Sequence, residues 1–250
     1  MLNGPGDSRV TAEEIIRNEI PVGAWSHKTV LDTGVALGIG VETLNAMINN
    51  AAVMNTLETR KKDRLELQFG TNHLAHFALF WHLKDLLLAS STPLFHSRVV
   101  NVSLVAHRYS PMPFENIDWE GNYSGWLAYG ASKTADIYMV TQVERLLHPD
   151  GFVSPDFQKF SQVEMGTLEG DERAQRSLTN DPQASATSVY GAVSREIEGR
   201  DGLYLESAAV VVEACPEDGD AVEYGFRKWT FDREGEERLW KLSKGWTKVE

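Results

Sequence analysis

The chain has 250 residues, 42% apolar and 24% charged, which suits one globular domain with a sizeable core and excludes a disordered, collagenous or fibrous polymer. Its 36 acidic residues outnumber 24 basic ones for a net charge of -12, which repels phosphate backbones and anionic bilayers, so neither nucleic acid nor a membrane is expected as a partner. Cys215 stands alone, so no intrachain disulfide or cysteine-based zinc site can form, which fits a reducing compartment and a cytoplasmic location by default.

The opening MLNGPGDSRVTAEE lacks the basic start and apolar core of a secretory signal and reads as a short mobile arm. In TAEEIIRNEI a threonine cap and acidic residues precede Ile15, Ile16 and Ile20 on one helical stripe. Lys28 to Thr33 reads as a short strand followed by a glycine-rich turn, and Leu44 to Ala51 as a second strand. A long helical pattern runs from Asp63 to Leu88, and Arg98 to Ser103 is a third strand. Strand alternating with helix predicts an α/β fold on a parallel sheet.

Tyr109 to Trp126 is rich in Pro, Gly, Asn and aromatics and reads as a long functional loop. In it, Trp119, Tyr123 and Trp126 either line an apolar substrate pocket or anchor the loop on the core. A helix is predicted from Ala128 to Leu147, a turn from His148 to Pro155 and an amphipathic helix over residues 184 to 198. Gly202 to Val212 reads as one strand and Asp232 to Lys244 as a last helix. His73, His76 and His82 lie on or near one helix without a second shell or a fourth ligand, so no metal is expected.

Tyr129 and Lys133, in AYGASKTA, are four residues apart and share one helical face. A phenol is a poor acid near neutral pH, and a neighbouring ammonium favours its phenolate and makes proton transfer accessible. That pairing suits carbonyl or alcohol chemistry. Ahead of it stand TGVALGIG directly after a strand, NNAA at the end of the next, Asn72 in FGTNHLAHF, and the VVNVS strand. In this order the motifs resemble the short-chain dehydrogenases/reductases, most closely their fungal branch associated with secondary metabolism, and retinol-dehydrogenase-like members too. The resemblance runs in pieces from about Val22 to Trp246.

It implies a three-layer, Rossmann-like α/β domain over 1–250, with an N-terminal arm and helix at 1–21, a core at 22–147 and a substrate or lid region at 148–250. It implies NADP as cofactor, with NAD as the alternative. Gly34, Gly38, Ile39 and Gly40 would form the nucleotide turn, and Asn50 would approach the cofactor ribose. Tyr129 would be the acid/base, Lys133 would bind ribose and lower the tyrosine pKa, and Asn72 would hold a water in the proton relay. The family's substrate-binding serine falls on Leu104, which leaves Ser103 beside it as the candidate. The resemblance implies a small-molecule substrate, and it leaves a homodimer open because helices flanking this tyrosine often make the dimer contact.

Two departures stand out. Only VETLNAMI separates Gly40 from Asn49, where the family has helices and two more strands, so family strands 2 and 3 are absent and the sheet is reduced. VERLLHPDGFVSP lacks another strand, with Asp150 in a usual glycine position. Three readings follow: an NADP-dependent oxidoreductase acting on a carbonyl or alcohol of a small secondary metabolite; a cofactor-free cyclase, dehydratase or isomerase using the Tyr-Lys pair; or an inactive remnant of the family.

Overall fold

The computed structural model describes residues 6–19, 28–33, 42–59, 65–147, 155–156, 180–200, 202–212, 214–216 and 225–249. The predicted glycine turn at 34–40 and the turn at 148–154 lie outside these, as does most of the region between 156 and 180.

Three short strands, β1 (Val30–Asp32), β2 (Ala46–Asn49) and β3 (Arg98–Asn101), pair in parallel in the order β1-β2-β3. Val30 sits opposite Ala46, and Met47 opposite Val99. Every residue of β2 and β3 is buried, as in a parallel sheet covered on both faces. Alternation along the strands divides the core. Ala46, Ile48, Val100 and Val102 face α1 (Ala12–Glu19) and α4 (Ala186–Val193), where they meet Ile15, Tyr190 and Val193. Met47 and Val99 face the opposite layer and meet Phe77, Phe80 and Met139 of α2 (Ala75–Ser90) and α3 (Gly125–Leu147). Trp240 of α5 (Arg233–Thr247) packs on the same cluster. The result is three layers, helix on sheet on helix.

The sheet closes across the shortened segment because β1 and β2 are neighbours and need no strand between them. Among the described residues β1 pairs with β2 alone. At the other side β4 (Pro155–Asp156) pairs in parallel with β5 (Leu203–Glu206), which turns back into β6 (Ala209–Val211).

Several expectations are corrected. Gly202 to Val212 is a hairpin rather than one strand, because Ser207 and Ala208 both take φ 55° and reverse the chain. The helix expected from Asp63 begins later, as a π-helical stretch over Phe69–Leu74 that runs into α2. The stretch 184–198 is not one helix: a turn at Asp181–Ala184 precedes α4, which ends at an extended Ser194 whose hydroxyl caps a 3₁₀ turn at Arg195–Ile197. On α1 the threonine cap forms, Thr11 N–H donating to Glu14 Oε2 at 2.8 Å, and Ile15 enters the core while Ile16 faces out. The C-terminal helix α5 is part of the second helical layer, where Leu239, Trp240 and Trp246 pack on α2 and α3. No helix among the described residues is long and apolar enough to cross a membrane.

Candidate active site

The site assembles where the carboxyl ends of β1, β2 and β3 meet α3 and the π-helical stretch. Asn49 Nδ2 donates to Asn101 Oδ1 at 2.7 Å across the sheet, and Asn101 Nδ2 donates to the Asp136 carbonyl at 2.9 Å, which ties β2 and β3 to α3. A Cβ on Gly130 would stand 2.7 Å from the Ala106 carbonyl oxygen, so glycine is what lets α3 approach the turn after β3.

Tyr129 is 2% exposed, with Trp126 edge-on to its ring at 6.5 Å. Its hydroxyl makes no hydrogen bond among the described residues. Lys133 is 1% exposed, and its Nζ donates to the Val102 carbonyl at 2.7 Å and to Asp136 Oδ2 at 3.0 Å. That ammonium lies 5.9 Å from the centroid of the Tyr129 ring. In this arrangement burial first, then the Asp136 charge and the neighbouring Tyr109, push the phenol above its ordinary range, against the direction in which Lys133 was expected to act.

Asn72 lies within the π-helical stretch, a departure from α-geometry that recurs at functional sites. Its side chain accepts from Val53 N–H at 2.8 Å and donates to the Val53 carbonyl at 3.0 Å and to Ser132 Oγ at 2.9 Å. Ser132 Oγ in turn donates to the Tyr129 carbonyl at 2.8 Å, so Asn72 is linked to the tyrosine turn of α3 through one hydroxyl. The Asn72 carbonyl accepts from His76 Nδ1 at 2.6 Å. His76 Nε2 lies 3.0 Å from Thr33 Oγ1, which also accepts the Asn50 and Ala51 N–H groups at 3.0 Å each. As a neutral ring His76 carries its proton on Nδ1 for the Asn72 carbonyl, and the Thr33 hydroxyl proton can turn to His76 Nε2 or to the Ile48 carbonyl at 3.5 Å. Burial, which pushes His76 down to about 4, agrees.

Asn50 is thereby placed, exposed, at the carboxyl end of β2. Ser103 is fully buried and its hydroxyl donates to the Lys133 carbonyl at 2.8 Å, so it fastens α3 to β3. Leu104, in the position where the resemblance expects serine, takes φ 66° and presents its carbonyl to His107 Nδ1 at 2.7 Å. Gly34, Gly38, Ile39 and Gly40 lie outside the described residues. Of the loop aromatics, Trp119 is buried in a core cluster and the Tyr123 hydroxyl donates to the Thr56 carbonyl at 2.9 Å, so both anchor, while Trp126 packs on Tyr129. Of the three histidines on the second helix, His73 bonds Ser243 Oγ of α5 through Nε2 at 2.8 Å and His82 is exposed.

Sequence reasoning missed Ser132, Thr33 and, above all, Asp136. The last sits three residues after Lys133, a spacing that places both on one helical face and could have flagged the pair. Asp136 is 1% exposed, and burial pushes it up to about 7 against the opposing pull of Lys133.

No protein-family model matches the chain. The short-chain dehydrogenase/reductase prx1 of Penicillium roqueforti is 32% identical over 96% of this chain and 91% of its own length. That alignment runs over 315 positions although this chain has 250 residues, so the relative carries residues inside the matched span that this chain lacks. Retinol dehydrogenase 14 of Mus musculus is 29% identical over 80% of this chain and 58% of its own. A solved structure of an uncharacterized protein from Mycobacterium paratuberculosis is 27% identical and superposes with a TM-score of 0.60, covering 84% of this chain and 69% of that one. With the ordered motifs, the three-layer parallel fold and this level of identity over nearly the whole chain, the protein belongs to the short-chain dehydrogenase/reductase family of oxidoreductases.

Proposed function

We propose that the chain moves hydride between NADP and a carbonyl or alcohol on a small secondary metabolite of polyketide-like or terpenoid-like character. The observation that carries this reading is the convergence of Tyr129, Lys133 and the Asn72–Ser132 link at the carboxyl ends of β2 and β3, the edge at which open parallel sheets bind their ligands.

Whether these residues suit a nicotinamide dinucleotide is decided at Lys133. An ammonium carries three donors; one is spent on Val102 and one on Asp136, and the third is available to a ribose hydroxyl. Exposed Asn50 stands at the same sheet edge. Lys133 and Asn50 would hold the ribose beside the nicotinamide, and Gly34, Gly38, Ile39 and Gly40 the phosphates. The bound cofactor supplies the hydride donor or acceptor. Tyr129 holds the proton at Oη that the substrate oxygen gains or loses, with Trp126 edge-on to its ring. Asn72 and Ser132 fix the helical turn that carries it. NADP rather than NAD rests on family likeness.

Calorimetric titration with NADPH and then NADH tests the reading without a known substrate. Micromolar binding, on the order of 8 kcal/mol, supports it. No heat and no thermal shift at millimolar nucleotide would refute it and favour cofactor-free acid/base chemistry on Tyr129. Tyr129→Phe is expected to abolish turnover while leaving the melting temperature unchanged, since the hydroxyl it removes makes no hydrogen bond.

A further inference from the structure

The family's tyrosine and lysine are present, yet Lys133 is not engaged with Tyr129. Its ammonium is shared between a neutral carbonyl, Val102, and a carboxylate, Asp136, one helical turn on. We propose that Asp136 is a positioning residue whose carboxylate holds the Lys133 ammonium off the Tyr129 hydroxyl and limits it to one donor for the cofactor, and whose release of that ammonium switches the site on. The proposal rests on the cofactor reading above for its second half only.

The surroundings of the pair support it. A flexible lysine stem puts its ammonium where its strongest acceptor is, and a charge-assisted bond to carboxylate outranks one to a carbonyl. Among the described residues the other titratable groups packed around the pair are neutral: His73, from the π-helical stretch, lies 3.9 Å from Asp136 Oδ1 and is pushed down to about 3 by burial, His76 to about 4, and Tyr129 carries its proton. From β3, Asn101 touches only the Asp136 backbone, and from α5, Ser243 reaches only His73. Among the described residues Asp136 Oδ1 and His73 Nδ1 are both buried without a hydrogen-bond partner, and Lys133 is the one side chain bonded to the carboxylate, which is under-satisfied for a buried anion. Its pKa, pushed up to about 7, places release within reach of neutral pH. Loss of the Asp136 charge also removes a repulsion that holds the phenol up, so both consequences favour a more acidic Tyr129.

Asp136→Asn, near-isosteric and uncharged, tests this in the nucleotide-free protein. The readout is phenolate absorbance against pH, each protein being compared with the same protein carrying Tyr129→Phe. The ionisation constant of Tyr129 is expected to rise at least about tenfold in the variant; Asp136→Ala gives the same reading if the amide variant does not melt cooperatively. Titration with NADH, which has no phosphate monoester to ionise in this range, is expected to show about tenfold tighter binding by the variant at neutral pH. The wild type should bind NADH more tightly as pH falls through neutrality, and the variant should not respond. An unshifted phenol with equal NADH affinity in both proteins overturns the inference and leaves the proposed function standing. A shifted phenol in a protein that binds neither NADH nor NADPH leaves the inference standing and removes the proposed function.

Discussion

Acid should unfold this protein earlier than its carboxylates alone would require, because three imidazoles are buried uncharged. Burial is the first cause in each case, pushing His73 down to about 3, His76 to about 4 and His107 to about 3. Unfolded, each returns to near 6.5. The unfolded chain then binds more protons between those limits, so the histidine contribution to stability is whole above about pH 6.5 and drains away as pH falls toward the folded values. At about pH 5 each ring lies ~1.5 pH units below its unfolded pKa, which withdraws about 2 kcal/mol per ring and about 6 kcal/mol in all. Asp136 works oppositely: raised to about 7, its stabilising effect is present in acid and lost as pH rises through that value, so acidification returns part of the loss. A net loss of a few kcal/mol is a large share of the ~5–15 kcal/mol typical of a domain. Urea unfolding followed by tryptophan fluorescence should show a midpoint lower by on the order of 1 M at about pH 5 than at about pH 8. Equal midpoints, or imidazole NMR signals that titrate near 6.5 in the folded protein, would refute the reasoning.

Leu104→Ser restores a hydroxyl where the family carries its substrate-binding serine, and it should raise turnover of a ketone or alcohol substrate; an unchanged rate would show that Leu104 is not the limiting defect. Gly130→Ala forces a methyl group to 2.7 Å from the Ala106 carbonyl oxygen and should cost about 1–3 kcal/mol, read as a lower urea midpoint; a wild-type midpoint would mean that α3 need not sit so close to the turn after β3. Arg108 and Glu206 form a bonded pair at 3.0 Å with both side chains fully buried. Glu206→Gln removes the charge opposite a buried guanidinium and should cost about 3–5 kcal/mol, and thermal melts within the error of wild type would count against that pair as a structural anchor.

The parallel core was legible because both-face burial favours short apolar runs, and Ala46–Ile48 and Val99–Val100 supply them, each followed by an asparagine that pairs with its neighbour. Tyr129, Lys133 and Asn72 were legible for a related reason: four-residue spacing on a helix survives folding unchanged, and local geometry alone brings the first two to one face. The hairpin at Ser207 and Ala208 was not, since neither residue announces a positive φ as glycine or asparagine does, and the alternation of LYLE and AVV reads straight through the turn. The π-helical stretch around Asn72 left no trace either, because its apolar pattern differs from an α-helix by one residue in register.

Asp136 is the most instructive omission. An acidic residue three places after a lysine reads, by pattern alone, as a solvated helix pair worth a few tenths of a kcal/mol. Here α3 is buried from Ala128 through Val143, so the same spacing creates an ion pair with no water to screen it. Position in the layer, set by the packing of α2, β3 and α5, turns an ordinary surface motif into a fully buried ion pair. It also reverses the consequence drawn from the family pattern. The lysine that should make the tyrosine more acidic is engaged by a carboxylate that makes it less so. On the proposed reading Tyr129, Lys133 and Asn72 carry the chemistry, and the aspartate one turn along sets when Lys133 is free to take part in it.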